Sequence, residues 1–251
     1  VVIPLFKSHY SIGRSILTLE KAGSSDAESP ASIIDICTES KIKNLYLVED
    51  NMSGFLEAYL NSKSSDISLR FGLRLTVCPN HLTQDEDSLY RQSKYIIFAN
   101  NKEGYRRLIK IYSFSAKNGF YYEPRIDFDT LKTLWDDKDL SLAVPFYDSF
   151  LHKNSLYGSI CLPDFSFSKP TFFVEDNDLP FDPILTKLVN DYANKKYEIV
   201  RTKSIFYKNR KDFKSYLTFK CINKRTTLDK PEIEHMCSNE FSFEGWKEQN
   251  V

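Results

Sequence analysis

The side chains of this chain that could bind metal or carry acid–base chemistry are few and widely spaced. His9, His81, His152 and His235 are its four histidines. None belongs to an HxH or HExxH string, the spacings that bring two imidazoles onto one metal ion. Cys37, Cys78, Cys161, Cys221 and Cys237 are scattered, with no CxxC pair. An odd, dispersed set reads as free buried thiols in a reducing compartment, not a disulfide framework. Cys221 and Cys237 stand without other ligands beside them and read as packed thiols. No Ser-His-Asp or Cys-His signature and no glycine-rich phosphate loop can be assembled. The segment Lys203 to Lys220 interleaves Lys208, Arg210, Lys211 and Lys214 with Phe206, Tyr207, Phe213, Tyr216 and Phe219. Such a stretch could hold single-stranded DNA by charge and stacking. The plainer alternative is an amphipathic helix with aromatics inward and lysines outward.

The bulk composition limits the choices further. With 251 residues the chain can bury a sizeable core, and 34 Lys plus Arg balance 34 Asp plus Glu. A dedicated nucleic-acid binder normally carries a strong basic excess, so DNA is at most a weak partner. No charged-then-apolar leader opens the sequence and no apolar run approaches a membrane span, which predicts a cytoplasmic protein without membrane contact. Nineteen phenylalanines and fifteen tyrosines against eight glycines, with lysine exceeding arginine, suit an AT-rich genome such as a phage's.

Short apolar runs alternate with segments of helical period, as in a sheet built from βα units. Strands are predicted at 1–6, 45–48, 69–77, 95–99, 140–144, 172–174 and 197–200. Helices are predicted at 32–40, 53–61, 101–116 and 184–193, the third with Tyr105, Leu108, Ile109 and Tyr112 on one face. The polar stretch His81 to Asp87 reads as a surface excursion. With no internal repeat and no low-complexity linker, 1–251 reads as one domain. Six or seven βα units in this length suggest a closed or distorted barrel, whose site lies at the C-terminal strand ends.

Three strings carry a family resemblance. Ser8-His9-Tyr10-Ser11 is similar to an "HS-x-YS" opening. The stretch from Tyr95 to Asp129 holds Asn101-Lys102-Glu103-Gly104-Tyr105 through Lys110, then Gly119-Phe120-Tyr121-Tyr122-Glu123-Pro124-Arg125-Ile126-Asp127. These match "N-x-EGY-x-NLIKL" and "GFYYKPRID". Cys221-Ile222-Asn223 through Thr227-Leu228-Asp229-Lys230-Pro231, then Asn239-Glu240-Phe241, resembles "CI-x-TG-x-TLDDP … NEF". Together they resemble the PHP (polymerase and histidinol phosphatase) domain of bacterial DNA polymerase III alpha subunits. The resemblance implies an α/β fold, a distorted (β/α)7-type barrel, and in active members a mouth of histidines and acids holding two or three divalent metals.

Carried across residue by residue, that ligand set is degenerate here. The family's ligands fall on Leu5 and Lys7, on Glu49 and Asp50, and on Arg74, Lys94, Tyr147, Ser204 and Phe206. Glu49 and Asp50 alone keep donor chemistry, with His9 close enough in the motif to form a residual polar cluster. Lys7, Arg74 and Lys94 are expected to neutralise Glu49 and Asp50 in place of cations; alternatively they point to solvent from rim loops. The resemblance therefore implies a protein with no catalytic residues and no cofactor. It would act in replication as a scaffold or docking surface for a proofreading exonuclease, a polymerase or another replisome subunit. Two alternatives stand beside this: a metal-dependent 3′–5′ exonuclease or phosphoesterase with a reduced site, and the N-terminal fragment of a longer alpha subunit.

Overall fold

The computed structural model describes residues 1–24, 29–228 and 238–250. Its elements alternate as βα units demand. In order they are β1 (Ile3–Phe6), α1 (Ile33–Glu39), β2 (Asn44–Glu49), α2 (Phe55–Ser64), β3 (Ser68–Cys78), α3 (Glu86–Leu89), β4 (Ser93–Ala99) and α4 (Lys102–Lys117). Then come β5 (Arg125–Asp127), α5 (Phe128–Leu134), β6 (Leu140–Val144), α6 (Phe150–Leu156), β7 (Thr171–Val174), α7 (Asp182–Ala193) and β8 (Glu198–Ile205). A 3-10 turn (Arg210–Asp212), α8 (Phe213–Lys224) and α9 (Phe243–Gln249) follow.

The strands are ordered β2-β1-β8-β7-β6-β4-β3-β5, and β2 also pairs with β3. This connectivity is that of an α/β, distorted (β/α)7 barrel, as the sequence predicts. The distortion has a local source. Strand β4 runs antiparallel to both β3 and β6, whereas β1 runs parallel to β2 and β8.

The chain forms two compact units. The first holds Val1–Phe71, Glu175–Asp182 and Arg201–Val251; the second holds Gly72–Val174 and Pro183–Val200. In the first unit Leu5, Phe6, Leu45 and Leu47 from β1 and β2 are buried, as are Ile33, Ile34 and Ile36 of α1. Ser32 starts α1 because its hydroxyl accepts from Ile34 N, satisfying one of the helix's orphan donors. In the second unit Leu73, Leu75, Tyr95, Ile97 and Leu142 form the strand core. Beside them Phe150, Phe165, Phe172, Tyr192 and Tyr197 pack as a cluster of mostly edge-on rings.

Helix α4 begins at Asn101, whose side chain accepts from Gly104 N, so the predicted start lies on the cap. Its buried side is Gly104, Leu108, Ile111 and Ser115, and Ile109 is exposed. The expected face therefore lies off by part of a turn: Leu108 is on it, but Gly104 and Ser115 extend the buried side where no apolar side chain marks it. The stretch His81 to Asp87 lies at the surface as expected, exposed from Leu82 to Asp87. It leads into α3, capped by Asp85, and His81 sits against Asp127. Strand β8 continues five residues beyond the predicted 197–200, through Arg201, Thr202, Lys203 and Ser204 to Ile205. Thr202 and Lys203 are buried there, which hides the strand from any reading of apolar runs.

Candidate functional site

The parallel register of β1 with β2 and β8 places the residues just past these strands together at one end of the first unit. Leu5 pairs with Tyr46 and with Ser204, and Phe6 with Leu47 and Ile205. Lys7 and Glu49 follow directly. Leu5 itself is core. Lys7 is almost wholly buried, and its Nζ lies 2.8 Å from Asp50 Oδ1. Arg14 Nε approaches the other Asp50 oxygen at 3.9 Å. Lys7 thus meets Asp50 as the sequence predicts.

Glu49 is fully buried. Its Oε1 accepts from Ser8 N at 2.8 Å, and its Oε2 accepts a short hydrogen bond from Ser11 Oγ. Burial pushes the Glu49 carboxyl above its ordinary value, against the pull of the Lys7 charge and these donors. Ser11 Oγ also accepts from Asp50 N at 2.9 Å, so one hydroxyl bridges both acids. His9 is turned elsewhere, with Nδ1 3.3 Å from Leu17 O and its ring against Tyr10. The polar cluster is built by Ser8 and Ser11, the first and last residues of the string in which His9 drew notice.

A second buried acid in this unit escaped the sequence reading. Glu175 follows β7 and accepts from Ser204 N at 2.9 Å, Ser204 Oγ at 2.8 Å and Asn177 Nδ2 at 2.9 Å. Lys203 is also fully buried; it donates to Asp176 O at 3.0 Å and lies 3.7 Å from Glu240. Burial raises the Glu175 carboxyl and lowers the Lys203 ammonium, while the charge of each pulls the other back toward its ionised form. The available signal was Glu175-Asp176-Asn177-Asp178 directly after an apolar run, the place where βα folds carry their sites. Phe206, another former ligand position, stacks between Tyr216 and Phe241.

The second unit holds the other three positions. Arg74 and Thr76 share one face of β3, and Lys94 of β4 lies in register opposite Thr76. Strand β5 pairs with the end of β3, Thr76 against Arg125, which brings the preceding Glu123 alongside. Lys94 Nζ contacts both Glu123 and Thr76 Oγ1, and Arg74 Nη2 pairs closely with Asp148. Within this unit Arg74 and Lys94 are thus paired with Asp148 and Glu123, neither of which the family motif marks as a ligand position. Burial alone would raise the Glu123 carboxyl, but the charge and hydrogen bond of Lys94, with Thr76 and Arg74, hold it below its ordinary range. Tyr147 is buried against Phe146 and His152, and His152 Nδ1 accepts from Asp148 N at 3.1 Å. Burial lowers the His152 imidazole below its ordinary value, which keeps it neutral.

The basic-aromatic segment is largely occupied within the first unit. Lys203 and Lys220 are buried, the latter with Nζ 5.3 Å from the Tyr216 ring centroid. Lys208 pairs with Glu39 at 3.1 Å, and Arg210 reaches Glu240 and Glu248, each at 2.7 Å. The picture of outward lysines on one helix gives way to a strand end, a 3-10 turn and α8. Cys37, Cys78, Cys161 and Cys221 are buried free thiols; Cys237, His235 and the string Asp229-Lys230-Pro231 lie outside the described residues.

Among the described residues no three His, Cys, Asp or Glu side chains converge as a metal ion requires. Glu49 is committed to serine donors and Asp50 to a lysine, so the donors present do not fit a cluster of two or three cations. No described helix is long and apolar enough to cross a membrane.

Comparison with known proteins supplies the family. The PHP domain matches residues 23–152, just over half of the chain. The DNA polymerase III subunit alpha of Borreliella burgdorferi is 31% identical over 111 residues, covering 42% of this chain and 10% of that protein. The matched part is thus a small share of a much longer polymerase subunit.

Proposed function

Because the chain belongs to the PHP domain family, we propose that it is a non-catalytic PHP module of DNA replication, acting as a scaffold or docking surface for a replication protein. Membership of the family and similarity to a polymerase III alpha subunit support the replication context. One observation carries the non-catalytic part. At the strand ends where the family resemblance places metal ligands, Lys7, Arg74 and Lys94 form ion pairs with Asp50, Asp148 and Glu123. A cation that is part of the chain supplies the charge balance a bound metal would give, but offers no open coordination position for a water or phosphoryl oxygen. Partners fitting this reading are a proofreading exonuclease, a polymerase subunit or another replisome component.

The test has two arms. The purified chain is incubated with manganese, magnesium or zinc and assayed on single-stranded DNA and on a phosphomonoester, with no turnover above buffer expected. Sedimentation with a bacterial polymerase III alpha subunit and its proofreading exonuclease is expected to show a complex with one of them. Metal-stimulated turnover that disappears in Glu49→Ala would overturn the non-catalytic reading, and the absence of any complex would overturn the docking role.

A further inference from the structure

One face of the second unit exposes large apolar side chains from three separate segments. Leu82 and Tyr90 flank α3, Phe120 and Tyr122 stand on the turn before β5, and Ile160 and Leu162 follow α6. Hydrogen bonds join the segments. Gln84 Nε2 donates to Phe120 O at 3.4 Å, and Ile160 N to Tyr90 O at 2.8 Å. Beneath them lies Arg125, fully buried. Its guanidinium donates to His81 O at 3.2 Å, Thr83 O at 3.1 Å and Gly119 O at 3.3 Å, and lies 4.9 Å from the Tyr121 ring centroid. A buried cation satisfied by loop carbonyls fixes the bases of two of these segments. The exposed side chains are therefore held on an ordered platform.

Tyr122 adds a second observation. It has φ of 61°, the left-handed region a bulky residue avoids, and is 77% exposed. Strain that presents an aromatic ring to solvent is the kind that a fold retains at recognition surfaces. Between the exposed Leu82 and Tyr90 runs Asp85-Glu86-Asp87, all exposed, with Arg91 the one Lys or Arg between His81 and Gln92. Burial raises the Tyr121 hydroxyl, and the neighbouring Tyr122, Asp85 and Glu86 add to the rise.

Apolar anchors beside an acidic edge select their occupant by charge. We propose that this face docks a polypeptide segment whose apolar side chains are flanked by lysines or arginines. Phosphate backbones and anionic lipid headgroups would meet Asp85, Glu86 and Asp87 with like charge. A second copy meeting the same face in a two-fold contact would set these acids against their own equivalents. The inference rests on the docking role proposed above and names the surface through which it works.

The experiment measures fluorescence anisotropy of the full chain with a labelled peptide of leucines, phenylalanines and arginines. Controls are its counterpart with glutamate at each arginine and a labelled oligothymidylate. Two variants are compared with the wild type. Tyr122→Gly removes the anchor while suiting the left-handed backbone, and Glu86→Gln/Asp87→Asn removes charge while leaving the Asp85 cap. The arginine peptide is expected to bind saturably, with affinity falling roughly tenfold in each variant and with added salt. Equal binding of the glutamate peptide, no saturable binding of the arginine peptide, or unchanged affinity in both variants would overturn the proposal. So would oligothymidylate binding lost in Tyr122→Gly, which would assign the face to nucleic acid. Concentration-dependent self-association abolished by Tyr122→Gly would assign it to a second copy. A replication partner that binds wild type and both variants equally would leave the docking role standing and overturn this surface alone. Peptide binding without any replication partner would do the reverse.

Discussion

Lys94 occupies a former ligand position, and Glu123 stands where the resembling family string has lysine. Side by side they form an ion pair with Thr76 as a third member. Such a reciprocal change keeps the local charge sum compatible with partial burial, since a lysine at 123 would face Lys94 as a like charge. Glu123→Lys is expected to destabilise the protein by about 1–3 kcal/mol, and adding Lys94→Glu to recover about half of that. Urea unfolding of the two single variants and the double variant measures the coupling, and strict additivity would refute it. The pair also sets a pH dependence. Because the Glu123 carboxyl is held below its ordinary value of 4.5 in the fold, the unfolded chain binds its proton first as pH falls. Its contribution is therefore present above about pH 4.5 and lost as pH drops through the folded value, and Lys94→Met should flatten this acid limb. Glu49 and Glu175 act in the opposite sense. Their raised carboxyls contribute stability at low pH that is lost as pH rises through their folded values.

At the scale of elements, the glycines of the resembling strings mark where helices touch backbone. A Cβ on Gly104, in the first turn of α4, would run into Asp139 O, and one on Gly119 into Arg125 O. These are carbonyl oxygens that cannot rotate away. Gly104→Ala is expected to cost about 3 kcal/mol or more, although alanine is the better helix former by about 1 kcal/mol. Thermal unfolding checks it, and a neutral or stabilising outcome would mean that α4 does not pack as described. The same contact explains what the sequence shows and what it hides. The start of α4 is legible because Asn101 is a local signal, whereas its buried side is legible only in part, at Leu108, because a glycine contributes no hydrophobicity to the pattern. Strand β5 went unseen for a similar reason. Three residues beginning with a fully buried arginine leave no apolar run. Helix α1 and strand β6, apolar along their buried sides, were read nearly to the residue.

Across the whole molecule, the fold class and family were legible because strings such as Glu103-Gly104-Tyr105 and Gly119 to Asp127 record backbone constraints that survive changes at the strand ends. Partner choice at those ends depends on which strands are neighbours, and the pair of Lys7 with Asp50 is one the sequence anticipates. Ion pairs proposed to stand in for a metal have a consequence that can be measured on the intact chain. A resident cation binding the folded state alone would stabilise it by about 2.7 kcal/mol at a hundredfold excess over its Kd, raising Tm by roughly 5–10 °C for a chain this long. With Lys7, Arg74 and Lys94 already beside Asp50, Asp148 and Glu123, an added divalent ion must displace an ammonium or guanidinium and leave a buried cation unpaired. Scanning calorimetry without addition, with excess chelator, and with manganese or zinc should therefore give Tm values within about 1 °C of one another. A clear rise with metal, abolished by chelator and absent in Glu49→Ala, would mean that the acids at the strand ends remain ligands, and that the ion pairs yield to metal.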